Sequence, residues 1–275
     1  VFNADVIKDS EIYKGGIPAR FGGRLSSILD VRTKDGNNKK YEVNGGIGTM
    51  ASRVAIQGPI MKEKSSFIVS ARRSYVDLFL RAANEDNLVH FYDINAKVNL
   101  RHNNRNRFFL AFYAGRDVFD FNNSKRTFTS NIPWGNSTAT LRWNHVFNRR
   151  LFANTTLVYN DYRFKFSARQ DNFRISLSSG IRDVNGKMDF DYYPSPQHKL
   201  KFGGLYTYHQ FIPNVVSGQS DSIVFTPNNE GIKYANETAL YMQDNWDVSE
   251  KISINYGFRY SRFTQIGPYK KYTRD

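Results

Sequence analysis

The 275 residues carry 39 Lys plus Arg against 25 Asp plus Glu, a formal net charge of +14, with 15% aromatic residues and no cysteine. The aromatic share is high for a soluble chain, and the cysteine count excludes a disulfide framework, a thiolate metal site and a cysteine nucleophile. A mean hydropathy of −0.57, with no apolar run near the roughly 18 residues of a membrane helix, excludes a helical span but not strands, in which only alternate residues face lipid.

The basic residues are spread along the chain instead of gathered in a block, which argues against nucleic acid as a partner. Val1-Phe2-Asn3-Ala4-Asp5 lacks the basic start and apolar centre of a signal peptide, so an exported protein is expected to carry its leader upstream.

The first organised stretch runs from Glu11 to Gly36. A short extended piece, Glu11 to Lys14, is joined to a second, Ile28 to Lys34, through a loop built on Gly15-Gly16, Pro18 and Gly22-Gly23. Glycine pairs permit positive φ and close backbone approach, and Pro18 fixes φ and removes a donor, so this connection has a defined shape. In the second piece Asp30 and Arg32 share one face while Leu29 and Val31 share the other.

Glu11, Gly16, Pro18, Ala19, Phe21, Gly22, Thr33 and Lys34 carry a resemblance. The segment resembles the last part of the plug domain of TonB-dependent outer-membrane receptors, in which a Gly-Pro-Ala-x-aromatic-Gly loop and a final strand ending in Thr-Lys lead into the first barrel strand. The resemblance implies a plug motif of Gly15, Gly16, Pro18, Ala19, Arg20, Phe21, Gly22 and Gly23, with Asp30 and Arg32 meeting the polar barrel wall. Leu25-Ser26-Ser27 stands where many members have a double glycine, which looks like the large-loop, SusC-like variant.

From Lys40 onward the dominant signal is period two. Ile94, Ala96, Val98 and Leu100 alternate with Asn95, Lys97, Asn99 and Arg101, and Ile252, Ile254, Tyr256, Phe258 and Tyr260 alternate with Ser253, Asn255, Gly257, Arg259 and Ser261. Such runs number about eleven strands. They start near Tyr41, Ser52, Ser66, Phe91, Arg107, Gly135, Leu151, Gly180, Lys199, Tyr234 and Ile252. Leu157 and Tyr159 lie on one parity but Tyr162, Phe164 and Phe166 on the other, which predicts a bulge near Asn160-Asp161.

The connections are expected to alternate in length. Short ones hold His102 to Asn106, Phe147 to Arg150, Pro194 to Gln197 and Ser249 to Lys251, and long ones run from Ser74 to His90, Asp117 to Pro133 and Phe211 to Lys233. An outer-membrane barrel keeps its periplasmic turns tight and its external loops long. That places Asn104, Arg149 and Ser195 inside and Asn123 and Asn228 outside. Tyr192-Tyr193, Phe152, Trp246 and Phe263 are the expected aromatic girdles. Two packed sheets would have to bury Lys97, Arg101 and Arg259 at a desolvation cost that a water-filled or plug-filled lumen avoids.

The expectation is therefore an all-β chain forming an antiparallel transmembrane barrel wall; the resemblance implies that residues 1–38 are the end of a plug and residues 39–275 about half of a barrel of about 22 strands. Asp189 and Asp191 are read as lumen acids beside lumen bases, not as a catalytic pair. No enzyme activity and no cofactor is expected. The resemblance implies import of a scarce nutrient of siderophore, glycan, peptide or vitamin class. It also implies contact with outer-membrane lipid, coupling to the TonB complex through an upstream segment, and a surface lipoprotein as a candidate partner. A smaller self-contained barrel or a soluble all-β binding module is the alternative.

Overall fold

Alternating apolar and polar side chains make strands, and cross-strand hydrogen bonds gather these strands into two sheets. The computed structural model describes residues 3–23, 26–123, 127–220, 223–225 and 231–267, so Leu25 and Asn228 lie outside the described residues. A 3₁₀ turn, Ala4–Val6, leads into β1 (Ile7–Tyr13), which pairs antiparallel with β2 (Ile28–Thr33) as a sheet of two.

The second sheet is an antiparallel meander. It comprises β3 (Glu42–Ile47), β4 (Ala51–Met61), β5 (Ser65–Ser74), β6 (Leu88–Arg101), β7 (Asn106–Asn123), β8 (Phe128–Val146), β9 (Leu151–Gln170), β10 (Phe173–Ser195), β11 (His198–Ser220), a short arm β12 (Ile223–Phe225) on β11, β13 (Lys233–Ser249) and β14 (Ile252–Ile266). The eleven expected strands are all present. Gly135 and Gly180 are not starts, however, because β8 and β10 begin at Phe128 and Phe173.

The two faces of the meander differ as the alternation requires. One face touches the two-stranded sheet and its loop, and it carries Ser70, Lys97, Gln243 and Arg259. The other exposes Leu110, Leu141, Leu157, Leu240 and Phe258. On this inward-outward frame Tyr192 and Trp246 are outward, but Phe152 and Phe263 have inward parity, which corrects their girdle assignment. Phe152 packs edge-on against Tyr193 (centroids 6.0 Å) and Phe263 lies 6.1 Å from the His209 ring, so both rings find aromatic partners on the inner wall.

The expected bulge at Asn160-Asp161 is absent. β9 pairs with β8 and β10 without a register shift through both residues. Asp161 and Arg163 simply continue the outward parity of Leu157 and Tyr159, and Tyr162, Phe164 and Phe166 continue the inward one. Nine residues from Leu151 to Tyr159 suffice to cross a bilayer at a tilt. In a membrane barrel both faces beyond that length would meet water, and nothing would require the parity of the apolar residues to hold.

The same length explains the outer connections. The link between β9 and β10 is the two-residue turn Asp171-Asn172, with Asp171 at φ 49°, because the strands themselves supply the extension. β7 and β8 likewise pair through Asn123 and Phe128, so most of the expected loop from Asp117 to Pro133 is ladder. The link from Ser74 to His90 does hold a loop, built around α1 (Val76–Ala82). At the opposite end the turns repeat one device. Asn103 Oδ1 accepts from the amides of Arg105 and Asn106, and Asn148 Oδ1 accepts from those of Arg150 and Leu151.

The best-buried part of the chain lies where the 3₁₀ turn meets the inner face of β4 and β5. Val6, Ala55, Ile68, Ser66 and Ser70 are buried there. Asn3 caps the turn by accepting from the Asp5 amide (3.0 Å) and donates to Ser70 Oγ (3.3 Å).

Candidate functional site

The loop between β1 and β2 is shaped locally before it touches anything else. Gly16 and Gly23 take φ of +59° and +75°, one from each glycine pair, and the Phe21 amide closes a turn on the Pro18 carbonyl (3.0 Å). The Arg20 guanidinium lies 4.5 Å above the Phe21 ring and pairs with Asp30 at 3.2 Å, while Phe21 rests 5.6 Å from Tyr13. Arg20 thus ties the loop to β2. The Glu11 carboxylate, with a smaller contribution from burial, pushes the Tyr13 phenol above its ordinary range, so this ring stays neutral at physiological pH.

The shaped loop is seated on the inner wall at β13 and β14. The Ala19 amide donates to Gln243 Oε1 (2.8 Å), and Arg259 Nη1 donates to the carbonyls of Ala19 and Arg20 (3.3 Å each). Close approach depends on missing side chains. A Cβ on Gly257 would stand 3.1 Å from Ala19 Cβ, and one on Gly22 would fall 2.2 Å from Arg259 Nε. Gly23 lies beside Glu237, which is 3.6 Å from His209 Nε2.

A second attachment holds the end of β2. Lys97 Nζ donates to the Thr33 carbonyl and hydroxyl (3.1 Å each) and pairs with Asp35 at 2.8 Å; Arg107 pairs with the same carboxylate at 3.0 Å. Ser66 Oγ donates to the Asp35 carbonyl (2.7 Å). Gly36 follows at φ +83°, where a Cβ would meet the Phe67 carbonyl oxygen at 2.3 Å. Near the start of the chain Arg53 pairs with Asp5 at 2.6 Å.

Between these attachments lies a cavity of about 590 Å³ lined by Asp30, Arg32, Lys97, Arg142, Lys187 and Asp189, among others. Arg32 looks into it and pairs at 3.7 and 3.8 Å with Asp9 and Asp30, on its own sheet. Asp189 pairs with Lys187 (3.1 Å) and accepts from the Tyr241 hydroxyl, and Asp191 pairs with Lys201 (3.8 Å). Each of the two carboxylates has a base beside it.

Of the residues singled out from the sequence, Pro18, Ala19, Arg20, Phe21, Gly22 and Gly23 come together at the seat, while Gly15 and Gly16 face open space; Asp30 and Arg32, expected to meet the wall, pair instead with Arg20, Asp9 and each other. The sequence does not single out the wall partners Gln243 and Glu237, or Asp35 in the link after β2. For Gln243 and Glu237 inward parity is the available signal.

Several solved structures share this fold. The ferric enterobactin receptor PfeA of Pseudomonas aeruginosa superposes with a TM-score of 0.68 at 14% identity, over 95% of this chain and 45% of that one. The fold is that of a TonB-dependent outer-membrane receptor. The outer-membrane transporter YddB of Escherichia coli gives 0.69 at 13% identity over 95% and 44% of the two chains, and the alcaligin outer-membrane receptor FauA of Bordetella pertussis gives 0.64 at 11% over 96% and 44%. The chain therefore spans less than half the length of each of these receptors. No protein-family model and no curated protein matches the sequence.

Proposed function

We infer that the protein is an outer-membrane receptor that binds a scarce nutrient at its external face and imports it when an energy-coupling complex moves the plug. On this reading residues 1–38 are plug and residues 39–275 are barrel wall, and the loop from Pro18 to Gly23 forms the movable contact, with Asp30 and Arg32 paired inside the plug segment instead of meeting the wall. The observation that carries it is the seat of the loop on the wall, with Ala19 held by Gln243 and Arg259 over Gly257. It is polar and small, so it holds the plug without the apolar burial that would make release slow. The nutrient is of siderophore, glycan, peptide or vitamin class; PfeA is named for ferric enterobactin and FauA for alcaligin. A surface lipoprotein is the candidate partner outside, and the TonB complex the partner inside.

The test is uptake by cells producing the protein, with and without a working inner-membrane coupling complex, of a panel comprising ferric catecholate, ferric hydroxamate, cobalamin, an oligosaccharide and an oligopeptide. Accumulation of one class only in coupled cells is the expected result. Entry of all small solutes regardless of coupling would establish a passive pore instead.

A further inference from the structure

The outward face changes chemistry abruptly at the outer end of the apolar belt. On β9 the outward run Leu151 to Tyr159 is followed by Asp161, Arg163 and Lys165, on β10 the run Tyr192 to Val184 is followed by Arg182, and on β7 the run Phe108 to Ala114 is followed by Arg116. The pairing register sets these residues side by side. Arg116 faces Gly135 of β8, Gly135 faces Arg163, and Arg163 faces Gly180 of β10, so each arginine borders a position with no side chain. Two strand spacings, roughly 10 Å, separate the two arginine backbones.

The missing side chains leave a groove of about 620 Å³ that includes Arg116, Arg163, Lys165, Asp161 and the ring of Tyr159. Asp161 is committed to both Arg163 (2.8 Å) and Arg182 (3.0 Å). Arg116 and Lys165 are exposed and form no ion pair with a described residue. Four cations thus surround one carboxylate at the level where lipid tails end and head groups begin. Guanidinium groups bind phosphate oxygens in pairs, and a tyrosine at the boundary suits an apolar-to-polar transition.

We propose that this groove binds the phosphate of an outer-leaflet lipid, with Arg116 and Arg163 gripping it from either side of Gly135 and Lys165 above. The proposal rests on the outer-membrane reading given above. Protein extracted from membranes and delipidated in neutral detergent is titrated with bisphosphorylated lipid A, with the same lipid stripped of its phosphates, and with inorganic phosphate as competitor. The expected result is at least tenfold tighter binding of the phosphorylated lipid. That preference should vanish in Arg116→Gln/Arg163→Gln and survive in Arg174→Gln, which removes the same kind of charge from outside the groove.

Equal binding of the two lipids, or equal loss in Arg174→Gln, overturns the proposal, and displacement of the lipid by millimolar inorganic phosphate overturns the lipid as its occupant. Outer-membrane fractionation and heat-modifiable mobility of the same preparations report on insertion separately. Correct insertion with a flat titration removes only the lipid site, whereas failure to insert removes the receptor reading with it.

Discussion

Arg32 on β2 and Arg259 on β14 are both arginines at the boundary between the two sheets, and geometry separates them. Arg259 donates to two loop carbonyls at 3.3 Å from a wall strand. Arg32 is 57% exposed and holds its acidic partners at 3.7 and 3.8 Å within its own sheet. Hydrogen bonds from charged donors contribute about 1.5–3 kcal/mol, whereas exposed ion pairs contribute about 0–1 kcal/mol. Arg259→Ala is therefore expected to raise the susceptibility of producing cells to a large antibiotic that the outer membrane normally excludes, with Arg32→Ala changing it much less. Equal effects would mean that the loop is held elsewhere. Gly36 makes a sharper demand, since φ +83° and the Phe67 carbonyl 2.3 Å from the missing Cβ both oppose any side chain. Gly36→Ala should cost about 1–3 kcal/mol in backbone strain alone, and the amount of heat-modifiable barrel recovered from the outer membrane should fall.

At the scale of elements, the strands were legible because alternation is a direct record of a two-faced wall. Alternation marks Lys97 and Arg259 as inward for that reason, and both hold the β1–β2 segment. The starts of β8 and β10 are hidden because the apolar residues change face there: Phe173, Ile175 and Leu177 alternate with Arg174, Ser176 and Ser178, but on the inward parity, while the pairing continues unbroken. The bulge was an inference from aromatic parity alone, and inward rings such as Phe119 and Trp134, stacked at 5.2 Å, show that aromatics line the inner wall too. Partner identities across the seat remained hidden because Ala19 and Gln243 are brought together only by the curvature of the sheet. That meeting makes a direct test. Ala19→Cys/Gly257→Cys should form a disulfide under mild oxidation, with no native cysteine to compete, and should block coupled uptake until reductant is added. Bridging that leaves uptake intact would show that the loop need not leave its seat.

For the whole molecule, the expected orientation sets the tight turns in the periplasm and the strand extensions outside. Single cysteines at Asn84 and Asn172 should react with a membrane-impermeant maleimide on intact cells, and those at Asn104, Arg149 and Ser195 should react only after the outer membrane is opened. The reverse pattern would invert the topology, and uniform labelling would point to a soluble module.

The attachments of the β1–β2 segment also differ in how far they reach along the chain. Asn3 to Ser70 spans 67 positions, but Ala19 to Gln243 spans 224 and Arg259 to Ala19 spans 240. Neighbouring hairpins close short loops, while the seat has to wait until the meander from β3 to β14 has curled far enough to bring its last strands back over the first residues. The order of events during biogenesis is thereby written into the contacts. The early attachment can form with the first hairpins, and the glycine loop remains a free tether until the wall arrives. In pulse-labelled refolding into detergent, amide protection at Ala19 should accordingly lag behind that of the β4–β5 hairpin, making this loop a natural sensor of whether the wall has been built as far as β14.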